Sequence, residues 1–229
     1  MTDSLLIDGV AIPVRLKRSP IAARMSLRVD PQDGAVVLVL PRQAPLAQGM
    51  AFVRGKADWI RQRRLALPER VPFAEGARLP LLGVEHDLRA APLARRGVWV
   101  EDGAILVSGR AEHFARRVGD WLKDQARAEI IRRALPMAEG IGRAAPRIAI
   151  RDTRSRWGSC SSRGDLAFSW RLVLAPAEVL HYVVAHEVAH LVEMNHSPAF
   201  WRVVETLDPQ AKPARAWLKR HGGQLHRYG

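Results

Sequence analysis

The sequence predicts an α+β fold, with a β-rich region over residues 1–109 that contains one helix, followed by an α+β region over residues 110–229. Residues 4–40 and 78–108 are rich in β-branched residues, often alternate apolar with polar, and contain Asp-Gly turns. In the second region the apolar residues recur instead at helical spacing. The boundary between the regions is soft, and one core shared by both is the alternative.

Local patterns predict the elements of the first region. Four apolar or β-branched segments begin the chain, and Asp8-Gly9 and Asp33-Gly34 supply turns between them. Residues 44–66 are expected to form one helix, because apolar residues recur there at roughly helical spacing with Arg and Lys between them. The proline-containing segment 67–80 is predicted to be a loop. Further strands are expected at LPLLGVEHDLRAA, VWVEDG and AILVSG.

The second region is predicted to contain four helices and three short strands. Pro136 and Gly140 are expected to end or interrupt the first helix. Arg163-Gly164 is the expected turn of a hairpin, and Pro176 is expected to be the first residue of the following helix. No internal repeat is apparent in the sequence. The expected elements are a long amphipathic helix over 111–134, a strand over 147–152, a hairpin over 159–170, and helices over 176–194 and near 198–206 and 210–221.

The chain is strongly basic. Its 229 residues include 36 Lys and Arg against 23 Asp and Glu, a formal net charge of +13. A basic surface can bind nucleic acid, nucleotides or other anions. The alternative is a compositional bias without function, since 31 of the basic residues are Arg and only 5 are Lys.

The termini and the cysteine content predict where the protein works. The N-terminus lacks the continuous apolar segment of a secretory signal, and no stretch approaches eighteen uninterrupted apolar residues. Cys160 is the single cysteine, which excludes an internal disulfide and a four-cysteine zinc site. These observations predict a cytoplasmic protein with no membrane-spanning segment.

The motif that carries chemistry is His186-Glu187-Val188-Ala189-His190, an HExxH sequence within an otherwise apolar helical run. Residues four apart lie on nearly the same helix face, so the two imidazoles can hold one metal ion. Glu187 lies beside His186 and can take a proton from a water on that metal. The motif therefore predicts two zinc ligands and a general base within one helical turn.

A third histidine, His196, follows His190 by six residues. In a continuous helix it would lie about 9 Å further along the axis, at about 1.5 Å per residue. The chain must therefore leave the helix and turn back between residues 191 and 195, where Asn195 tolerates left-handed geometry. Ser197-Pro198 then supplies the N-cap and first residue of the next helix. We predict that His196 is the third ligand of one Zn²⁺ ion per chain.

The histidine spacing matches the metzincin pattern HExxHxxGxxH, but Glu193 replaces the glycine and no methionine turn follows. Metzincin membership is therefore disfavoured. A gluzincin would use a downstream glutamate as its third ligand, and Glu205 is that candidate. It ranks behind His196, and the role preferred for Glu205 is to orient a ligand histidine by hydrogen bonding.

The segments SRWGSCSS, WRL and YVVAHEVAHLVEMNHSPAFW resemble the YgjP-like metallopeptidase family, which is related to the SprT-like zincins. The specific match spans roughly residues 150–205, and the β-rich start followed by a helix is similar to the family's N-terminal half. The resemblance implies a zincin-like minimal metallopeptidase domain with an active-site HExxH helix. It also implies zinc bound by His186, His190 and His196, and a peptide or protein substrate.

Three further residues are candidates for substrate contact. Arg154 and Arg156 lie beside RWGSC, between predicted strands, and in zincins an edge strand near the metal often receives the substrate backbone. Either arginine can bind an anionic substrate group or an oxyanion. Tyr182, one turn before the first histidine, can stabilise an oxyanion as well. The alternatives are solvated arginines beside a buried Trp157, and a tyrosine that packs in the core with its hydroxyl satisfied.

The favoured function is a zinc metallopeptidase that uses metal-activated water. A metal-dependent hydrolase of nucleotides or other phosphoanhydrides is one alternative, although the sequence has no P-loop. A nucleic-acid-associated SprT-like protease, whose basic surface binds DNA or RNA, is another. A noncatalytic metal-stabilised domain is disfavoured by Glu187, because a structural site needs no base and usually has a fourth protein ligand.

Overall fold

A computed structural model describes residues 2–7, 9–30, 33–153 and 155–229. The fold is α+β, and the chain forms two compact units, Met1–Glu69 and Arg70–Gly229. This division differs from the boundary predicted near residue 109, because the strands over 78–108 belong to the second unit. In the described part of the chain, no helix is long and apolar enough to cross a membrane.

The first unit is a four-stranded sheet with two helices. The strand order is β1-β2-β4-β3, with β2 parallel to β4 and the other pairs antiparallel. Its core joins Val14 and Leu38 of the sheet to Val53 and Ile60 of the helices. The elements are β1 Thr2–Ile7, β2 Val10–Ser19, β3 Ser26–Val29, β4 Val36–Pro41, α1 Leu46–Arg54 and α2 Ala57–Leu65.

The single helix predicted over 44–66 is wrong, since the segment forms two helices. Gly55 follows the last residue of α1, and Lys56 leaves helical geometry with φ −110° and ψ 17° before α2 begins. Glycine is among the weakest helix formers, so the break falls where propensity is lowest. The spacing of apolar residues does not reveal this break, because both helices bury residues in the same core.

The second unit begins with another four-stranded sheet, of order β5-β6-β8-β7, in which β6 and β8 are parallel. This is the strand order and pairing of the first sheet, so the topology repeats although the sequence showed no repeat. An Asp-Trp pair, Asp58-Trp59 and Asp120-Trp121, lies in a helix after each sheet. The strands are β5 Arg78–Leu81, β6 Val84–Ala91, β7 Val98–Glu101 and β8 Ala104–Ser108.

The second sheet shares its core with the helices that follow. This shared core explains why the chain divides after Glu69 and not near residue 109. Leu88 and Ile105 belong to the same buried cluster as the interior of the long helix α3, Phe114–Gly140. The β5–β6 turn also packs tightly, since a Cβ on Gly83 would lie 2.9 Å from Cα of Pro176. The strands over 78–108, which the sequence analysis assigned to the first region, are thus part of the larger unit.

Helix α3 continues beyond the predicted end near residue 134. Pro136 lies inside it, and the helix ends only at Gly140. A proline within a helix removes one backbone hydrogen bond. Here the last turn stays helical because Met137 and Ala138 are buried in the core, and packing outweighs the lost bond.

Three strands and three helices frame the histidine motif. The sheet order is β10-β11-β9, so β10 is an edge strand in the described structure. Gly164, with φ +84°, lies in the predicted β10–β11 hairpin turn. Pro176 is the N-cap of α4 and not its first residue. The elements are β9 Ile148–Arg151, β10 Gly158–Cys160, β11 Leu166–Ser169, α4 Ala177–Ala189, α5 Pro198–Leu207 and α6 Ala211–His221.

Candidate metal centre

The C-terminal end of α4 carries the first two histidines. His186 lies in the last turn, and His190 is the C-cap residue directly after Ala189. Their ring centroids are 5.1 Å apart, as expected for residues one turn apart on one face. Most of the other residues of α4 are buried, so the helix holds both imidazoles on a rigid support.

The predicted turn brings His196 back to these two rings. Its ring centroid lies 5.0 Å from that of His186 and 4.9 Å from that of His190. Ser197 caps α5 as predicted, and its Oγ accepts a hydrogen bond from the Phe200 backbone at 3.3 Å. The left-handed geometry expected for Asn195 is wrong, because its φ is not positive. Its side-chain oxygen instead accepts from the Ser197 N–H at 3.2 Å, which stabilises the turn.

The three histidines form a donor set of the right size for a small metal ion. One nitrogen from each lies within 4.8 Å of the others. The Nε2 atoms of His186 and His196 are 3.1 Å apart. Tetrahedral zinc with bonds of about 2.05 Å would separate neighbouring ligand nitrogens by about 3.3 Å, so this pair needs little adjustment.

Hydrogen bonding and burial favour the neutral imidazoles that a metal requires. Nδ1 of His190 lies 2.9 Å from the backbone carbonyl of Glu193, and donation to that oxygen leaves Nε2 as the free lone pair. Burial, followed by the charges of His190, His196 and Arg215, lowers the pKa of His186 to about 4. Burial also lowers the pKa of His190, against the hydrogen bond to Glu193. Both rings are therefore unprotonated at neutral pH.

Phe200 supports all three rings, a role that the sequence analysis did not assign. Its side chain is fully buried, with ring centroids 4.9, 4.5 and 4.8 Å from those of His186, His190 and His196. Trp201 adds a second wall, 6.0 Å from both His186 and His196. The sequence feature that could have indicated this role is position, because both aromatic residues lie in the first turn of the helix that follows His196.

Glu187 faces the strand β10 beside the histidines. It is only 6% exposed, and burial raises the pKa of its carboxyl to about 7 against the opposing charge of Arg156. A Cβ placed on Gly158 would lie 2.4 Å from Cγ of Glu187 and 2.5 Å from its Oε1. Only glycine leaves room for the carboxylate at this point of the edge strand.

Two of the three substrate-contact candidates, Arg156 and Tyr182, lie within the described residues. Arg156 and Tyr182 both line a cavity of about 220 Å³ whose wall also includes His186 and Glu187. The Tyr182 ring packs edge-on against His186 with centroids 5.9 Å apart, and burial raises the pKa of its hydroxyl. Arg154 lies outside the described residues.

Glu205 forms an ion pair at the surface. The carboxylate of Glu205 lies 4.0 Å from Nζ of Lys212, and both side chains are exposed. Among the described residues, no hydrogen bond joins Glu205 to a histidine, so its predicted orienting role has no contact to support it.

Burial and the charges of Glu187 and Asp165 raise the pKa of the Cys160 thiol, which opposes its use as a nucleophile.

A sequence model of the YgjP-like metallopeptidase domain matches residues 23–221, which is most of the chain. The chain belongs to the YgjP-like metallopeptidase family. A search of curated proteins gives no match. The crystal structure of the metallopeptidase zymogen abylysin from Pyrococcus abyssi is similar at 25% identity over 44% of this chain and 92% of that one. Its TM-score of 0.31 is too low to add to the family assignment.

Family membership makes this YgjP-like protein a hydrolase of the metallopeptidase class, and its three-histidine cluster can hold the metal. The basic residues of the chain are spread along its sequence. They occur in both units, and Arg156, Lys212 and Arg215 line the cavities beside the histidines. Several others pair with nearby carboxylates, including Arg15, Arg61, Arg78, Arg89, Arg116, Arg132, Arg133 and Arg171.

Proposed function

We propose that this YgjP-like metallopeptidase is a zinc peptidase that holds one Zn²⁺ through His186, His190 and His196 and uses Glu187 as general base. The observation that carries the proposal is the convergence of three imidazole nitrogens within 4.8 Å of one another, where His186 and Glu187 line the same cavity. Three histidine ligands leave a fourth tetrahedral position open, which is typical of catalytic zinc sites.

The residues of the chain divide the work of hydrolysis. Zinc held by the three histidines would supply a Lewis acid and would lower the pKa of a bound water towards neutrality. Glu187 accepts a proton from the water that attacks the peptide carbonyl, and then delivers a proton to the departing amine. Arg156 and Tyr182 line the same cavity, and we assign to them the stabilisation of the negative charge that develops on the carbonyl oxygen.

The testing experiment pairs metal analysis with a comparison of wild type and Glu187→Gln. Glutamine keeps the size of the side chain but cannot accept a proton at neutral pH. The variant should bind one zinc per chain like wild type, and should cleave peptides about 10²–10⁴-fold more slowly. Equal turnover by the glutamine variant would refute the general-base role, and loss of zinc would make Glu187 a ligand or its support.

The same preparations should be given casein, a peptide library and nucleoside triphosphates. Cleavage of peptide bonds by wild type, reduced in Glu187→Gln, supports the peptidase. Release of phosphate or pyrophosphate without any peptide cleavage would replace it with a phosphoanhydride hydrolase. Zinc stoichiometry without either activity would make the site structural.

A further inference from the structure

A second cavity adjoins the candidate metal centre. Its volume is about 250 Å³, below the roughly 300–1,000 Å³ of sites for drug-sized ligands, so it suits one substrate side chain or chain terminus. Tyr182 lines both this cavity and the one at the histidines. The lining residues are Tyr182, Trp201, Val204, Glu205, Ala211, Lys212 and Arg215.

Trp201 connects the apolar part of this second cavity to the histidines. The ring of Trp201 forms part of its wall and is 6.0 Å, centroid to centroid, from His186 and from His196. Val204 is fully buried one helical turn further along α5. A substrate residue next to the bond being cleaved can therefore place its methylene groups against this wall.

Arg215 brings a positive charge to the second cavity. Its guanidinium carbon lies 4.5 Å from the centroid of Trp201, and this cation–π contact holds the group in place. Among the described residues, Arg215 forms no ion pair with a carboxylate. The acidic residue on the same wall, Glu205, has Lys212 as its partner at 4.0 Å.

We propose that Arg215 determines specificity by binding a substrate carboxylate in the second cavity, so that the enzyme prefers peptides with an acidic group beside the cleaved bond. A planar guanidinium on an aromatic ring binds carboxylates in a bidentate manner, which an amide or an alkyl group cannot reproduce. The carboxylate belongs either to a Glu or Asp side chain or to the peptide C-terminus. This inference rests on the proposed peptidase function.

The test uses the zinc-loaded full chain and a peptide library prepared with free and with amidated C-termini. Wild type should cleave peptides with an acidic residue next to the cleaved bond about ten- to a hundredfold faster, in kcat/KM, than matched peptides with Gln. A preference for Glu or Asp over Gln that persists with amidated termini identifies the side chain, and a preference for free over amidated termini, with Glu and Gln cleaved equally, identifies the terminus. Arg215→Ala should remove the preference, and Arg215→Glu should reverse it towards Lys.

Arg220→Ala is the matched control, because Arg220 is exposed on the same helix and lines neither cavity. It should keep the wild-type preference. Peptide binding to Glu187→Gln, followed by Trp fluorescence, should weaken in the same ratio when Arg215→Ala is added. Peptide cleavage with no acidic preference, or with a preference that survives Arg215→Ala, would refute the inference and leave the peptidase intact. Absence of any peptide cleavage would instead refute the proposed function.

Discussion

Replacement of Gly158 by alanine should act on Glu187, the proposed general base, through a single methyl group. The added Cβ would lie 2.4 Å from Cγ, 2.5 Å from Oε1 and 2.7 Å from Cδ of Glu187. Carbon atoms pack at about 3.5–4.0 Å, so strand β10 or the carboxylate must move by about 1 Å. A displacement of about 1 Å in a catalytic group costs about 10²-fold in rate, or about 2.7 kcal/mol. Overpacking should also lower the free energy of unfolding by about 1–3 kcal/mol.

The assay compares kcat/KM, zinc content and urea unfolding of Gly158→Ala with those of wild type. Zinc should be retained, because the atoms that Cβ meets belong to Glu187 and not to a histidine. Gly223→Ala is the matched control: its Cβ would meet nothing within 4 Å, its φ is not positive, and it should behave like wild type.

A second background tests the cause of the effect. In Glu187→Ala the carboxylate is absent, so adding Gly158→Ala should cost little or no further stability, giving strongly non-additive unfolding free energies. If the cost of Gly158→Ala is the same in both backgrounds, the clash is not with Glu187. If Gly158→Ala is as active and as stable as wild type, the close approach of β10 to the carboxylate does not position the base.

The remaining predictions concern the metal ligands and their support. His190→Ala and His196→Ala should lose zinc affinity to a similar extent, while Glu205→Ala should bind zinc normally. Normal zinc binding by His196→Ala together with weakened binding by Glu205→Ala would make Glu205 the third ligand. Phe200→Ala should lower the free energy of unfolding by about 3–5 kcal/mol in urea melts, because a fully buried ring is removed. Phe200→Leu keeps most of the volume but frees all three imidazoles, and should weaken zinc binding about tenfold in a chelator competition. Unchanged zinc affinity in Phe200→Leu would show that the ring only fills space.

The histidine motif could be read from the sequence because its geometry is local. Spacing of four residues places His186 and His190 on one helix face whatever surrounds them. The position of His196 also followed from local chemistry, since Ser197-Pro198 starts a helix and forces the preceding residues to turn. The mistaken detail, left-handed Asn195, shows the limit of this reasoning: the turn closes through the Asn195 side chain instead.

The errors in element boundaries arise where tertiary packing overrides local preference. Pro136 stays within α3 because Met137 and Ala138 beyond it are buried. The strands over 78–108 belong to the second unit because Leu88 and Ile105 share its core, and periodicity cannot say which core a strand joins. The repeated strand order is likewise a property of pairing between distant segments.

The sequence by itself was enough to determine the α+β class and to propose the zinc ligands and the general base, because each depends on residues close together in the chain. Only the tertiary structure placed Phe200 against the three imidazoles, and only it brought the edge glycine, Gly158, against Glu187. It also assembled Arg215 with Trp201 in a cavity next to the histidines. These contacts join separate segments, and their formation depends on how the helices and the edge strand pack, which no local spacing encodes.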